Sequence, residues 1–184
     1  MIERVLPVDF PVLETKRLVL RPIKKEDTLR LHSILSSEKV VVYYGTFPIE
    51  QVEMIESIIE RYEKDFIEDI GIRWAITLKE TDELIGTCGF MAWAKRHKRA
   101  QIGYELDENY WRQGYGIEAV EVATQYGFQA MDLQRIEALI YPENEGSFRL
   151  LEKLGFQYEG LLRSYTYFRN KHQDLKLYAK IKSE

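Results

Sequence analysis

Two glycines one residue apart, Gly114 and Gly116, separate a run of alternating apolar residues from a run with helical spacing. Residues 101–106 alternate apolar and polar side chains, which predicts a strand. From Gly116 to Met131 apolar residues recur at steps of three and four, which predicts a helix that buries one side. Glycines allow positive φ, so several backbone N–H groups can point to one place beside the partly positive helix start. This loop is therefore predicted to bind a phosphate or diphosphate.

Other interpretations compete for the glycine pair. A P-loop needs Gly-Lys followed by Ser or Thr, and the sequence after Gly116 is Ile117-Glu118, which excludes that motif. A dinucleotide fingerprint needs a third glycine where Ala119 stands, and βαβ repeats that the order of elements does not supply. An ordinary strand–turn–helix joint stays open, because a lone glycine pair is a weak signal.

A second stretch with possible chemistry begins at Asn144 and includes Ser147. Asn at this place predicts a helix N-cap, and the helix is expected to run to about Leu154 and stop at Gly155. Ser147 then falls in the first turn, where a hydroxyl can bond the local backbone or meet a reacting group. The residues alone leave both uses of Ser147 open.

Together the two stretches resemble the motifs of the GNAT N-acetyltransferases. The loop is similar to the family's acetyl-CoA motif, Gln/Arg-x-x-Gly-x-Gly/Ala, at Gly114 and Gly116. The downstream stretch is similar to the motif Asn-x-x-Ser/Ala, which a Gly-Phe pair follows. Trp111 stands where the first motif has Gln or Arg, and the loop Tyr110–Gly116 is instead similar to the RimJ/RimL branch, which acetylates protein N-termini. Residues 14–22 also resemble the opening of that branch.

The resemblance implies acetyl-CoA as co-substrate, no metal, and direct attack of a primary amine on the thioester in a ternary complex. Loop amides would hold the CoA diphosphate, and Asn144 would bond the pantetheine arm or the helix start. Ser147 would meet the leaving thiolate, because Leu151 stands where many relatives carry a tyrosine. The cofactor-binding residues assigned in this way are Leu106, Arg112, Gln113, Gly114, Tyr115, Gly116, Ile117, Asn144 and Ser147.

A general base is also required, because a protonated amine has no lone pair for the attack. Glu105 is the candidate, since acidic residues on this strand serve as the base in parts of the family. The alternative is a strand carboxylate that faces solvent or a lysine. The fallbacks are Glu137, Tyr104 and Tyr141. A backbone N–H at the end of the strand Tyr104–Asp107 is the expected oxyanion donor.

The most expected acceptor is a protein or peptide N-terminal α-amine, possibly that of a ribosomal protein. A small amine (polyamine, amino acid or aminoglycoside) is the alternative, and a CoA-binding sensor without turnover is a third hypothesis. The sequence is compatible with a monomer or a homodimer.

Bulk composition narrows the remaining classes. The 184 residues, of which 45% are hydrophobic and 30% charged, fit a single globular domain spanning 1–184. A net charge of -4 disfavours a nucleic-acid partner. The single cysteine, Cys88, and the lack of a signal-peptide pattern favour a cytoplasmic location. The sequence has no apolar run long enough to cross a membrane, so no membrane partner is expected. The basic run Lys95–Arg99 predicts a solvated hairpin tip, with a contact to an acidic partner or an adenosine phosphate as the alternative. The histidines, which lack metal-ligand spacing, are His32, His97 and His172.

The remaining patterns predict the elements that hold these motifs. The order is β-α-α-β-β-β-α-β-α-β-β, a mixed α/β fold with a mostly antiparallel sheet of about seven strands and about four helices, which is similar to the GNAT order. The three strands before the motif helix are expected to form an antiparallel meander, and the next strand to run parallel to its neighbour. The predicted strands are Arg17–Arg21, Ile72–Leu78, Leu84–Trp93, Gln101–Leu106, Arg135–Tyr141, Phe156–Tyr165 and Asp174–Ile181, the last two joined by a turn at Asn170–Gln173.

Overall fold

The computed structural model describes residues 5–182, so the first four and last two residues of the predicted domain 1–184 lie outside it. The strands are β1 (Leu13–Glu14), β2 (Leu18–Pro22), β3 (Ile72–Leu78), β4 (Leu84–Ala94), β5 (Arg99–Leu106), β6 (Arg135–Ile140), β7 (Gln157–Phe168) and β8 (Lys171–Ile181). The α-helices are α1 (Thr28–Leu35), α2 (Glu38–Val41), α3 (Glu53–Ile67), α4 (Tyr115–Gln129) and α5 (Glu145–Lys153). Within residues 5–182 none of these helices has both the length and the apolar content needed to cross a bilayer.

The eight strands form one sheet in the order β1-β2-β3-β4-β5-β6-β8-β7. Strands β3, β4 and β5 are paired antiparallel, as the predicted meander requires. Strand β6 is parallel to β5, because helix α4 carries the chain back across the sheet between them. The mixed α/β fold class with a mostly antiparallel sheet is therefore confirmed.

Helices cover both faces of the sheet. On one face α4 packs against the strands, and the ring of Trp74 in β3 meets Tyr126 of α4 edge-on at 5.3 Å. On the other face Ala75, the next residue of β3, lies in a core with α1, α2 and α3, because successive strand residues point to opposite faces. The buried residues that the three helices contribute to this second core include Leu31, Val41 and Ile55.

The structure differs from the local predictions in four features. The two-residue strand β1 and the four-residue helix α2 were not predicted, because segments this short show no periodicity. The turn predicted at Asn170–Gln173 is wrong: β7 and β8 meet across Arg169 and Asn170, both with positive φ, as a two-residue primed turn requires. Strand β7 lies at the sheet edge and exposes most of its side chains, so its polar composition obscured its length.

Candidate active site

The end of β5 presents a free backbone edge. The amide of Asp107 donates to the carbonyl of Ile85 at 2.9 Å, just beyond the β4–β5 ladder. Bonded and non-bonded residues alternate in an antiparallel ladder, so Tyr104 and Leu106 direct their N–H and C=O groups away from β4, toward β6. These groups reach β6 only if the two strands stay paired.

The strands β5 and β6 separate after a short pairing. Within residues 5–182 their register covers three pairs and ends at Gln101 and Glu137, whereas β5 continues to Leu106 and β6 to Ile140. The N–H of Tyr104 therefore lies on the side of an opening between the strands, where an oxyanion donor was predicted. The carbonyl of Leu106 on the same edge accepts the indole N–H of Trp111 at 2.8 Å, which ties the following loop to the strand end.

The loop after β5 leaves its amides free. Gly114 has φ +85° and Arg112, although it is not a glycine, has φ +59°. Among residues 5–182 no partner accepts a hydrogen bond from the backbone N–H groups of Arg112–Ile117. The last three of these belong to the first turn of α4, where intrahelical acceptors are missing and the partial charge is positive. Alternating helical and left-handed residues of this kind form the concave nests that bind anions.

The two glycines of the motif have different roles. Gly114 supplies the left-handed turn that caps α4. Gly116 is helical, and a Cβ there would lie 3.0 Å from Leu150 Cδ1 and 3.2 Å from Leu106 Cδ1. Its missing side chain therefore lets the start of α4 approach both α5 and the end of β5. Of the two glycines, only Gly114 uses positive φ, whereas Gly116 contributes through its missing Cβ.

The start of α5 lies against the same opening. The side chain of Asn144 accepts the backbone N–H of Ser147 at 3.1 Å, so the predicted N-cap is confirmed. The phenol of Tyr104 donates to the carbonyl of Ser147 at 3.4 Å, which places the first turn of α5 beside β5. Burial raises the pKa of Tyr104, and its hydrogen bond with Ser147 opposes the rise only in part. Tyr104 thus stays protonated and is unsuited to the role of base. Leu151 is fully buried and contributes only packing.

Glu105 points to the other face of β5 and belongs to a buried polar network. Its carboxylate contacts the guanidinium of Arg73 and the hydroxyl of Thr87. Arg73 also donates to the Thr87 hydroxyl at 2.7 Å and to the carbonyl of Gly103 at 2.9 Å. Burial raises the pKa of Glu105, and Arg73 and Thr87 oppose that rise. The predicted alternative, a carboxylate that faces solvent or a lysine, is wrong, because Glu105 is 6% exposed and its partner is an arginine.

The other candidates for the general base are either paired with arginines or stay protonated. Glu137 accepts from Arg99 at 2.9 Å and from Arg135 at 2.7 Å, so its charge is balanced by two arginines. Burial raises the pKa of Tyr141, which keeps its phenol protonated at neutral pH. Burial also raises the pKa of the Cys88 thiol to about 12, which makes it inert, as predicted from its apolar strand.

The basic run lies at the tip of the β4–β5 hairpin with Arg96–Arg99 exposed, as predicted, and three of its cations are paired with carboxylates. Lys95 pairs with Asp69, Lys98 with Asp132 at 2.6 Å, and Arg99 with Glu137. Within residues 5–182 no group of three or more His, Cys, Asp or Glu side chains could hold a metal ion.

Two arginines near the motifs were not predicted to belong to the site. Arg73 lies in the mostly apolar strand Ile72–Leu78. Because a buried charge needs a polar partner, its presence there could have indicated a polar network. Arg17 follows β1, and its side chain donates to Glu118 of α4 at 2.7 Å and to the carbonyl of Gln113 at 3.0 Å. Both pairings join residues that are far apart in sequence, so only the fold reveals them.

Comparisons with known proteins identify the family of this chain. Residues 17–157 match the model of the Acetyltransferase (GNAT) domain. The uncharacterized N-acetyltransferase YoaA of Bacillus subtilis is 43% identical over 173 residues, which cover 94% of this chain and 98% of that protein.

Two solved structures share the fold at lower identity. RimL, a ribosomal L7/L12 α-N-protein acetyltransferase in complex with coenzyme A, superposes with a TM-score of 0.83 at 20% identity, covering 93% of this chain and 98% of that one. Spermidine N-acetyltransferase from Vibrio cholerae, in complex with CoA and spermine, gives a TM-score of 0.79 at 22% identity, covering 91% and 96%. From its family match and its identity to YoaA, the chain belongs to the GNAT family and is an acetyl-CoA-dependent N-acetyltransferase.

Proposed function

We propose that the enzyme acetylates the N-terminal α-amine of a protein or peptide, as the RimJ/RimL branch does. The observation that carries this proposal is the character of the sheet face opposite α4 and α5, from which an amine would approach the opening between β5 and β6. Aromatic side chains gather on that face, and the carboxylates next to the opening are paired with cations.

Aromatic side chains from two segments meet on this face. The rings of Phe47, in the loop after α2, and Phe168, at the end of β7, lie 5.0 Å apart. The guanidinium of Arg169 lies 5.2 Å from the Phe168 ring and pairs with Glu38 of α2. Tyr44 lies deeper, with its ring 5.6 Å from the guanidinium of Arg73. These contacts favour an acceptor that offers one amine and an apolar neighbour, such as the first residues of a peptide.

Carboxylates near the opening are balanced by cations. Asp107 pairs with Arg30 at 2.6 Å, and Glu108 pairs with Lys39 at 2.8 Å. Glu105 is paired with Arg73. A long polycation needs several uncompensated carboxylates along its length, and these three do not supply them.

We assign the steps of transfer as follows. The amides of Arg112–Ile117 hold the CoA diphosphate, and the start of α5 with Asn144 lies along the pantetheine arm. The N–H of Tyr104 stabilises the oxyanion, and Ser147 meets the leaving thiolate. Glu105 takes up the amine proton through a water molecule, because Arg73 and Thr87 occupy its oxygens. Holding both substrates in one opening would supply much of the rate enhancement.

The proposal is tested with acetyl-CoA and a panel of amines, with mass spectrometry of the products. We expect peptides with a free N-terminus to be acetylated on the α-amine, and the same peptides with a blocked N-terminus but a free lysine to be poor acceptors. Acetylation of spermidine with a higher kcat/KM than any peptide would contradict the proposal. Absence of any thiol release with every acceptor would favour a binding role for the site.

A small polyamine is the second candidate, and one surface supports it. Helix α3 carries exposed glutamates at helical spacing with no ion-pair partner among residues 5–182: Glu53, Glu56, Glu60 and Glu63. If a polyamine is the acceptor, E56Q/E60Q should raise the KM for spermidine. The single control variant E152Q on α5, which lies on the other face of the sheet from α3, should leave this KM unchanged.

We propose one GNAT domain over residues 1–184, supported by the single sheet of the described residues. A cytoplasmic location is supported by Cys88, the one cysteine, which is buried and unpaired.

A further inference from the structure

We propose that Arg17 is a positioning residue for the diphosphate loop, keeping its amides open and cancelling a negative charge behind them. This inference rests on the proposed binding of the CoA diphosphate by Arg112–Ile117. It assigns a role to a residue outside both motifs, on the turn between β1 and β2.

Arg17 forms hydrogen bonds with both the loop and helix α4. Its Nε donates to Glu118 Oε2 at 2.7 Å, and its Nη1 donates to the carbonyl of Gln113 at 3.0 Å. Its guanidinium carbon lies 4.2 Å from the centre of the Tyr115 ring. The third nitrogen, Nη2, lies 3.3 Å from the place where a Cβ on Gly114 would stand. One side chain therefore contacts Gln113, Tyr115 and Glu118 and lies beside Gly114.

The contact with Gln113 fixes which side of the loop is open. A peptide plane carries its carbonyl and the next N–H on opposite sides, so a fixed Gln113 carbonyl turns the Gly114 N–H away from Arg17. The Gly114 N–H is one of the amides without a partner among residues 5–182. Without this contact the plane would be free to rotate, because Gly114 tolerates either sign of φ.

The contact with Glu118 neutralises a carboxylate that would otherwise repel an anion bound at the start of α4. Glu118 lies in the first turn of α4, where a carboxylate competes with a bound anion for the positive end of the helix. Its Oε1 accepts the hydroxyl of Thr15 at 2.5 Å and the backbone N–H of Arg17 at 2.8 Å, while Oε2 takes the guanidinium. Burial alone would raise the pKa of Glu118, but these bonds and the charge of Arg17 hold it below the ordinary value. The carboxylate is thus ionised and neutralised in place.

The test compares two acetyl donors, acetyl-CoA and S-acetylpantetheine, which lacks the diphosphate and the adenosine. For R17Q we expect the KM for acetyl-CoA to rise about tenfold, from the size of partly buried helix-end charge effects, with kcat little changed. The KM for S-acetylpantetheine should be unchanged. R17K, which keeps the charge but loses the forked contacts, should fall between R17Q and the wild type.

Two further variants separate charge from folding. K16Q removes a neighbouring exposed cation and is the matched control; it should behave as the wild type. R17Q/E118Q removes both charges and should recover part of the lost affinity for acetyl-CoA, which a general loss of structure would not allow. Thermal unfolding of each variant checks that the fold is retained.

The possible failures are distinguishable. If the wild type has the same KM for both donors, the loop does not bind the diphosphate. The proposed site is then overturned together with this inference. If the wild type prefers acetyl-CoA but R17Q matches K16Q, only the role of Arg17 is overturned. If R17Q raises the KM for both donors equally, Arg17 acts on the fold at large and the inference again fails.

Discussion

The guanidinium of Arg73 pairs with the carboxylate of Glu105 across the middle strands of the sheet, and each side chain is 4% exposed. Arg73 belongs to β3 and Glu105 to β5, with Thr87 of β4 between them. The pair therefore spans three adjacent strands on the face from which the amine is proposed to approach. A charge pair this deeply buried makes clear predictions for stability and for catalysis.

For stability, we expect Arg73→Met to cost about 3–5 kcal/mol of unfolding free energy, because it leaves the Glu105 charge buried without its partner. The double variant R73M/E105Q should cost less than R73M alone, since no charge is then stranded. Urea unfolding of both variants and of E105Q gives the coupling energy. Additive losses would show that the two side chains do not depend on each other.

For catalysis, we expect Glu105→Gln to remove the acidic limb of the pH dependence of kcat/KM. Burial raises the pKa of Glu105. A base with a raised pKa gains activity as the pH rises through that value, so the limb should lie above the ordinary carboxyl pKa of about 4.3. The glutamine variant keeps the size of the side chain but cannot take up a proton. An unaltered pH profile would remove Glu105 from the reaction.

For the loop, we expect Gly116→Val to abolish measurable CoA binding by calorimetry, because the added atoms would meet Leu150 and Leu106 and displace α4. Gly114→Ala should bind more weakly, since φ +85° costs a non-glycine residue roughly 1 kcal/mol or more. The matched control is Gly160→Ala, where an added Cβ has nothing within 4 Å. Wild-type affinity in the Gly116 variant would show that the loop is not the site.

For the leaving group, we expect Ser147→Ala to lower kcat roughly tenfold or more while the KM for acetyl-CoA changes little, as for the loss of an acid acting in the transition state. Ser36→Ala, at the end of α1, is the matched control. A variant with wild-type kcat would limit Ser147 to the helix turn that Asn144 caps.

Much of the fold could be predicted because the long elements follow clear periods. The alternation of residues 101–106 and the helical spacing after Gly116 correctly predicted β5 and α4. The N-cap at Asn144 could also be predicted, because its bond to Ser147 is local. Both motifs could therefore be located from the sequence alone.

The polar partners of the site could not be predicted in the same way. Arg73 and Glu105 meet only because the registers of β3, β4 and β5 place them side by side. Arg17 reaches Glu118 across about a hundred residues, a contact that no local pattern encodes. The turn at Arg169–Asn170 was missed because the exposed polar residues that follow it, at the start of β8, resemble a loop in sequence.

The measurement that tests the central claim most directly is a crystal structure of the enzyme with CoA bound. We predict that oxygens of the diphosphate lie about 2.7–3.2 Å from backbone nitrogens between Gly114 and Ile117, with the thiol in the opening between β5 and β6 beside Ser147. A diphosphate bound elsewhere, with those amides still without a ligand, would contradict the account.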